Sequence, residues 1–226
     1  MIKQTVSVEK DIGSFREDRI SYYSSRKDDS TNSYSLFLLI HFIPDDFVEK
    51  RITLEYSLES LDNIKKFIFN HFRCTDGPYV SDEGLHFLSI ENNGFRDKPE
   101  GFLYNNGVVE IFYPLYAFVI AAEEGSSTKG FFPKQIIWNL VSSATSGYID
   151  LIARSNDMKR IYGCVSIIGC RDVVSGKNEN TGDDIVISSN ELIMPPSVFS
   201  DVGNSETVDL DMEKSQNSFF QHLGGI

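Results

Sequence analysis

Residues 101–112 read GFLYNNGVVEIF, two short runs rich in apolar residues separated by Asn105-Asn106-Gly107. Asn-Gly is a preferred pair in tight hairpins because it suits the positive φ that such turns need. The stretch therefore predicts two antiparallel strands joined by a tight turn. A central hairpin of this kind indicates a fold built on a mixed or antiparallel sheet.

Further strands are predicted on both sides of the hairpin. Residues 34–43 are apolar at odd and even positions alike, which is typical of a strand that is covered on both faces and lies at the centre of a sheet. Pro44 ends this run. Residues 51–56 alternate between apolar and polar, the pattern of a half-exposed strand. Other strands are predicted at residues 85–90 and 161–168, with one or two short ones within 185–194.

Helices are predicted where apolar residues recur every three or four positions, at residues 8–23, 58–72, 133–154 and 204–223. Pro133 favours a helix start, and this helix is expected to be the longest. We expect about four helices to pack on the sheet in a single α+β domain over residues 1–226. Polar, turn-rich composition predicts mobile loops at residues 24–33 and 175–184.

Composition narrows the function classes. The net charge of −12 argues against the chain alone holding nucleic-acid phosphates, which are bound by clustered Lys and Arg. The first residues lack the apolar segment of a secretory signal, and no apolar run approaches the about 20 residues that span a bilayer. The three cysteines show no framework spacing, which fits a reducing compartment. We expect a soluble cytoplasmic protein without membrane contact.

No motif in the sequence predicts a catalytic or metal centre. Gly176-Lys177 lacks the upstream glycine and the following Ser or Thr of a phosphate-binding loop. Asp45 and Asp46 precede Glu49 and Lys50 in an order similar to that of metal-dependent nucleases. The adjacent Glu49 and Lys50 would, however, point to opposite faces of a strand, so a capped turn is the preferred interpretation. The four histidines show no metal-ligand spacing, and neither a metal nor a cofactor is predicted.

One histidine and two cysteines lie in apolar surroundings. His41 is inside the apolar run of residues 34–43, where a hydrogen-bonded core histidine is the default interpretation. Cys164 and Cys170 are predicted to be small buried side chains, because free cysteine is among the most buried residue types.

Several short segments occur in an order that is more informative than any motif. They are residues 15–19 (FREDR), 39–44 (LIHFIP), 83–85 (EGL), 104–110 (YNNGVVE), 165–169 (VSIIG) and 192–196 (LIMPP). In these segments the chain resembles the region that follows the Schlafen AlbA-like DNA-binding domain in many bacterial proteins. The first segment is similar to an arginine-bearing helix of that region, the second to its first core strand, and the hairpin to its central hairpin.

The resemblance implies that the chain functions together with another protein. The DNA-binding domain itself is not in these residues, so the resemblance implies that it resides either in a separate chain or in an N-terminal part of a longer protein. The resemblance carries over no catalytic residue. We therefore expect a non-enzymatic sensing, regulatory or assembly module with a protein partner of Schlafen-like type, or a homo-oligomer. Contact with nucleic acid would be indirect, and the setting would be defence against mobile DNA.

Two alternatives remain open at this stage. One is a hydrolase or nuclease with a dispersed carboxylate site, for which the candidate residues are Asp45, Asp46, Glu110 and His41. The other is a direct nucleic-acid binder, for which the candidates are the basic residues Arg16, Arg19, Arg26 and Lys27 of the first helix and its loop.

Overall fold

The computed structural model describes residues 2–25, 36–48, 66, 76–88, 99–115, 130–131, 134–152, 160–177 and 180–200. Two helices lie in these ranges, α1 (Ile2–Ser25) and α2 (Lys134–Ile152). The strands are β1 (Phe37–Pro44), β2 (Asp76–Val80), β3 (Gly84–Leu88), β4 (Glu100–Tyr104), β5 (Val109–Pro114), β6 (Gly130–Phe131), β7 (Arg160–Ile168), β8 (Val173–Lys177), β9 (Asp184–Val186), β10 (Glu191–Ile193) and β11 (Ser197–Ser200).

The expectation of about four helices is not met, because the described residues contain two. Helices α1 and α2 correspond to the predictions at 8–23 and 133–154. Each buries an apolar stripe against the sheet, and such packing, more than apolar spacing alone, is what stabilises a helix. The helices predicted at 58–72 and 204–223 and the strand predicted at 51–56 lie outside the described residues, apart from Lys66. Neither α1 nor α2 is long and apolar enough to cross a membrane.

The main sheet has eight strands, seven of them in the order β10-β7-β1-β5-β4-β3-β2, with β11 as an additional neighbour of β7. All of these pairs are antiparallel. The predicted hairpin forms β4 and β5 in the middle of the sheet. A second, three-stranded sheet contains a parallel β6–β8 pair and an antiparallel β8–β9 pair. The predicted α+β class with a largely antiparallel sheet is therefore confirmed.

Strand β1 is buried at every position. Leu38 and Phe42 belong to the core on the α2 side, where the Phe42 ring stacks on Tyr148 with centroids 4.2 Å apart. Leu39 belongs instead to a cluster with Ile20 of α1. Because successive side chains of a strand point to opposite faces, the sheet forms a layer between α1 and α2. The prediction of a central strand covered on both sides is confirmed.

The remaining strand predictions agree with the structure within a few residues. Strands β3 and β7 lie at the predicted positions, and β9 and β10 are the two short strands expected within 185–194. Of the loop predicted at 175–184, residues 175–177 belong to β8 and Asp184 begins β9. Of the loop predicted at 24–33, residues 24–25 end α1 and the rest lies outside the described residues. Cys164 and Cys170 are buried free thiols, as predicted.

The hairpin turn is a three-residue loop of residues 105–107, all of them described. Gly107 N–H donates to the carbonyl of Tyr104 at 2.9 Å, and Tyr104 N–H donates to the carbonyl of Val108 at 2.8 Å. Gly107 has a φ of 85°, and Asn106 keeps a negative φ while its Oδ1 accepts from Val108 N–H. Left-handed backbone is therefore needed at the glycine and not at the preceding asparagine.

Substitution of Gly107 by alanine is expected to lower the free energy of unfolding by about 1–2 kcal/mol, because a residue with a Cβ is strained in the left-handed region. Gly13→Ala is the matched control. A Cβ at Gly13, in the interior of α1, would meet no atom within 4 Å, so this change is expected to stabilise by about 0.5–1 kcal/mol. Urea unfolding of both variants measures the difference. Effects of the same sign would contradict the turn geometry.

Candidate functional site

A buried ionic cluster lies between α1 and the sheet, centred on the carboxylate of Glu110 in β5. The Glu110 residue is 1% exposed. Its oxygens accept hydrogen bonds from Arg19 Nε at 2.7 Å and Arg19 Nη2 at 2.8 Å, and from the hydroxyl of Tyr23 at 2.9 Å. They also accept from His41 Nε2 at 2.9 Å and from the hydroxyl of Tyr104 at 3.3 Å. We call these five residues the Glu110 cluster.

Strand register and helix spacing bring the Glu110 cluster together. His41 and Glu110 are directly paired residues of the antiparallel strands β1 and β5, so their side chains project from the same face. Arg19 and Tyr23 are four residues apart on α1 and therefore lie on one side of that helix. Tyr104 is the last residue of β4, just before the hairpin turn.

Aromatic rings surround the charged groups of the cluster. Phe15 of α1 packs edge-on against the His41 ring at 5.4 Å and against the Tyr104 ring at 5.6 Å. The Arg19 guanidinium carbon lies 5.2 Å from the ring centroid of Tyr23 and 5.7 Å from that of Tyr104. The guanidinium is thus held by a bidentate carboxylate pair and by the faces of aromatic rings, two arrangements that favour arginine over lysine.

The protonation states within the cluster follow from burial and from the donors. Burial alone would raise the pKa of Glu110, but hydrogen bonds and charge from His41 and Arg19 outweigh it and lower the pKa to about 2. Burial, then the adjacent carboxylate, raises the pKa of Tyr23 and of Tyr104 well above the usual range. Burial lowers the pKa of Arg19, yet the bonds to Glu110 raise it overall. At neutral pH the cluster therefore contains a carboxylate, a guanidinium cation and two neutral phenols.

His41 is fully buried, and its two ring nitrogens differ in their surroundings. Because Nε2 faces a carboxylate oxygen, which can only accept, we assign a proton to Nε2. Within the described part of the chain, Nδ1 has no hydrogen-bond partner. The prediction of a hydrogen-bonded core histidine is confirmed through its Nε2 contact.

Arg16 forms a second anchor one helical turn from Arg19. It is 5% exposed, and its guanidinium donates to the carbonyl oxygens of Met194 and Val165 at 2.8 Å each and to Ser166 Oγ at 2.9 Å. All three acceptors are uncharged, and burial lowers the pKa of Arg16. Through Arg16 and Arg19, helix α1 is fixed to β5, to β7 and to the segment that follows β10.

The geometry of the Glu110 cluster favours a structural role over a catalytic one. A carboxylate offers about four lone-pair directions, and Glu110 already faces five donor contacts from four side chains. A substrate proton or a metal ion would have to displace one of these buried contacts. The carboxylate acts here as an acceptor that joins helix to sheet.

The structure brings together two of the four residues considered for a carboxylate enzyme site. His41 and Glu110 are in contact, whereas Asp45 and Asp46 lie in the turn after β1. Pro44, the end of β1, is about 10 Å along the strand from His41 at 3.3 Å per residue. Asp45 is exposed, and its N–H donates to the carbonyl of Arg160. Among the described residues, no group of three His, Cys, Asp or Glu side chains is arranged to hold a metal ion.

The four basic residues considered for nucleic-acid binding differ in where they lie in the structure. Arg16 and Arg19 point into the protein and form the contacts described above. Arg26 and Lys27 lie outside the described residues.

Sequence reasoning missed Tyr23, Tyr104 and Ser166 as members of this buried polar region. The sequence does contain one signal that could have identified Tyr23. Phe15, Arg19 and Tyr23 recur every four residues, so an arginine occupies the same helical stripe as two aromatic residues that pack inward. An arginine in an apolar stripe indicates a buried acidic partner, since an unpaired buried charge is strongly unfavourable.

No protein-family model matches this chain, and neither the curated proteins nor the solved structures contain a significant match to it. The resemblance to the region that follows the Schlafen AlbA-like domain therefore stays a prediction. The segments that carry it do have a structural feature in common. Five of those segments supply residues to the Glu110 cluster or to the contacts of Arg16, and both of these hold α1 to the sheet. The residues are Arg16 and Arg19, His41, Tyr104 and Glu110, Val165 and Ser166, and Met194.

The lowered pKa of Glu110 predicts a specific dependence of stability on acid. The contribution of a carboxylate with a depressed folded-state pKa is fully present above its ordinary value of 4.5 and is lost as the pH falls towards about 2. Glu110→Gln does not titrate at this position. The difference in unfolding free energy between the wild-type protein and this variant is therefore expected to shrink as the pH falls from about 4.5 to about 2. Urea unfolding over this range measures it, and a constant difference would contradict the prediction.

Proposed function

We propose that this chain is a non-enzymatic sensing, regulatory or assembly module that acts with a protein partner directed at nucleic acid. The partner would be of the Schlafen-like type named by the resemblance, and the setting would be defence against mobile DNA. Contact with nucleic acid would belong to the partner, and this chain would act on it through a protein–protein interface.

The observation that carries the proposal is that donors from within the chain already occupy the acceptor positions of the Glu110 carboxylate. The Glu110 carboxylate, whose pKa is lowered to about 2, accepts hydrogen bonds from Arg19, Tyr23, His41 and Tyr104, all from within the chain. Perturbed pKa values often mark catalytic groups, but structural ion-pair networks produce them too. Here the causes are internal side chains, which supports the structural interpretation and disfavours a site built on Glu110.

The charge distribution supports an indirect relation to nucleic acid. The chain carries a net charge of −12, and phosphate binding requires accessible Lys and Arg. Arg16 is 5% exposed, and the side chain of Arg19 is 19% exposed and paired with Glu110. Neither guanidinium is presented to a phosphate without breaking a buried contact. A basic partner that reads nucleic acid complements such an acidic chain.

The proposal is tested by isolating the tagged chain from its native cells, with and without nuclease treatment, and identifying bound proteins by mass spectrometry. We expect a stoichiometric protein partner that stays bound after nuclease treatment. Light scattering on the purified chain establishes whether the partner is a second copy. Recovery of the chain alone as a monomer, or release of everything by nuclease, would contradict the proposal.

The enzyme alternative is tested in parallel with the same purified chain. Nuclease and phosphodiesterase assays with Mg²⁺ or Mn²⁺ compare the wild-type protein with Asp45→Asn and Asp46→Asn, two changes in an exposed or half-buried turn. We expect no activity that these changes abolish. A turnover lost in either variant, without loss of folding, would favour a carboxylate-dependent enzyme over the proposed module.

A further inference from the structure

The edges of the two sheets differ in how well they are protected against pairing with another strand. In the main sheet, the edge strand β2 contains Pro78 and a register shift against β3, and the opposite edge is interrupted by Pro195 and Pro196 between β10 and β11. Proline has no N–H to donate, and prolines and bulges keep edge strands from pairing with other chains. Strand β9 lies at one edge of the three-stranded sheet, and residues 180–194 contain no proline. The edge at β9 therefore keeps every backbone N–H that such pairing would use.

The backbone polar groups along β9 alternate in direction. Those of the odd-numbered residues are bonded to β8 and to the turn before it. The contacts are Ile187 N–H to the carbonyl of Val173 at 2.9 Å, Asp172 N–H to the carbonyl of Ile187 at 2.9 Å, and Ser175 Oγ to the carbonyl of Ile185 at 3.2 Å. Successive residues of an antiparallel strand direct their N–H and C=O groups to opposite sides. The N–H and C=O groups of Asp184, Val186 and Ser188 therefore face away from β8.

The side chains of this stretch suit a paired strand. Ile185, Val186 and Ile187 are consecutive β-branched residues, the type that is enriched in strands. Ile187 is 1% exposed in the core and Ile185 is half-buried. Val186 points to the other face, where it is 41% exposed and lies between the exposed Asp184 and Ser188. An apolar β-branched run at an open edge is a surface to which another strand can add.

We infer that β9 pairs antiparallel with β9 of a second copy of this chain, about a two-fold axis at Val186. In this register the two Val186 residues bond to each other through their outward N–H and C=O groups. Those of Asp184 bond to those of Ser188 in the second copy, so all three outward-facing residues find a partner. An axis at Asp184 would instead place two carboxylates directly opposite each other, which is destabilising.

The side chains favour the same register. The Asp184 carboxylate, which accepts hydrogen bonds, lies opposite the Ser188 hydroxyl of the second copy, which can donate one. On the other face, Ile185 lies opposite Ile187 of the second copy, a cross-strand pair of β-branched residues. A two-fold contact uses the same strand of both copies and closes the assembly at two. The inference goes beyond the proposed function, because it concerns contact between copies of this chain and not the protein that they act with.

The first test is sedimentation velocity of the full chain over a range of concentrations, in about 0.15 M salt to screen the like net charge of the copies. We expect a reversible monomer–dimer equilibrium. Val186→Pro removes an N–H that faces away from β8, so the ladder to β8 is retained. It is expected to weaken dimerisation at least about tenfold, because two symmetry-related hydrogen bonds are lost together. Val186→Thr, which keeps the N–H and the β-branch, is the matched control and is expected to stay within about twofold of the wild-type protein.

A charge exchange at the same position tests the register and does not depend on proline. Val186→Lys and Val186→Glu each place like charges opposite each other at the two-fold axis, and a mixture of the two variants places opposite charges there. We expect each variant alone to be monomeric and the mixture to form a heterodimer. Val198→Lys and Val198→Glu are the controls, because Val198 is 44% exposed on β11, and they are expected to dimerise as the wild-type protein does. A wild-type chain that is monomeric throughout, or a dimer that no change at Val186 affects, would overturn the inference.

Failure of this inference is distinguishable from failure of the proposed function. A monomeric chain that still brings down another protein from native cells would overturn the dimer and leave the module function intact. If Val186→Pro abolished recovery of that protein from a monomeric chain, the edge at β9 would belong to the protein and not to a second copy. A dimer recovered without any other protein would support this inference and contradict the proposed partner.

Discussion

Replacing Glu110 with alanine is expected to lower the free energy of unfolding by about 3–5 kcal/mol, the range found when one partner of a buried ion pair is removed. The carboxylate is 1% exposed, and its loss leaves the Arg19 guanidinium and His41 Nε2 without their acceptor. The hydroxyls of Tyr23 and Tyr104 lose an acceptor as well. The cost arises from desolvated donors that are no longer paired, more than from the packing of the glutamate methylenes.

Urea unfolding at neutral pH measures this effect, with Glu191→Ala as the control. Glu191 is exposed on β10, so its truncation is expected to change the free energy of unfolding by at most about 0.5 kcal/mol. A change below about 1 kcal/mol in Glu110→Ala would mean that the cluster does not hold α1 to the sheet. Hydrogen exchange gives a local readout, because amide protection of α1 is expected to fall more than that of β1.

A double-mutant cycle separates the ion pair from the rest of the cluster. Arg19→Met keeps an apolar side chain in the helical stripe and removes the charge, so the double variant Arg19→Met with Glu110→Gln contains neither ion. We expect the double variant to be more stable than the sum of the two single changes predicts, because neither charge is left unpaired. Strict additivity would show that the two groups contribute independently.

Local sequence patterns predicted the central hairpin, β1 and α2 because these elements are determined by nearby residues. The hairpin at residues 101–112 follows from the residues of its turn. Strand β1 follows from a run that is apolar at odd and even positions alike. Helix α2 follows from apolar spacing over nineteen residues. Each of these signals lies within the element that it predicts or within a few residues of it.

The Glu110 cluster was harder to predict because its contacts join residues far apart in the chain. Arg19 and Glu110 are separated by 91 residues and His41 and Glu110 by 69. From the sequence, Glu110 was a candidate for catalysis and Arg19 a candidate for nucleic-acid contact. Each interpretation assumed an accessible side chain. Only the strand register between β1 and β5 and the placement of α1 on that face show that the two charges neutralise each other.

This outcome illustrates why a residue type alone does not define a site. A glutamate next to a histidine suits general acid–base chemistry when one of them has a free proton-transfer direction. In this protein Glu110 already accepts hydrogen bonds from four side chains, and both Glu110 and His41 are buried. The pairing of these two residue types therefore supports the buried contact between α1 and the sheet and not an accessible site.

Truncation of Leu38 and of Leu39 to alanine is expected to cost about 2–5 kcal/mol in each case, although the two residues are adjacent and point to opposite faces. Both leucines are 0% exposed. Leu38 packs in the core shared with α2, and Leu39 packs in the cluster shared with Ile20 of α1. In a sheet covered on one face, one of two successive positions would face solvent and its truncation would be nearly neutral.

The two leucine variants are compared with each other. Val198→Ala on β11 is the surface control, because Val198 is 44% exposed. Its free energy of unfolding is expected to lie within about 0.5 kcal/mol of the wild-type value. When the dependence of the unfolding free energy on denaturant concentration has the same slope in all variants, the denaturant midpoints give the three changes in the free energy of unfolding. A large cost at Leu38 with a negligible cost at Leu39 would mean that α1 does not cover the sheet, and the Glu110 cluster would then lose its burial. Similar large costs at both positions would support the layered arrangement on which the low exposure of Glu110 and His41 depends.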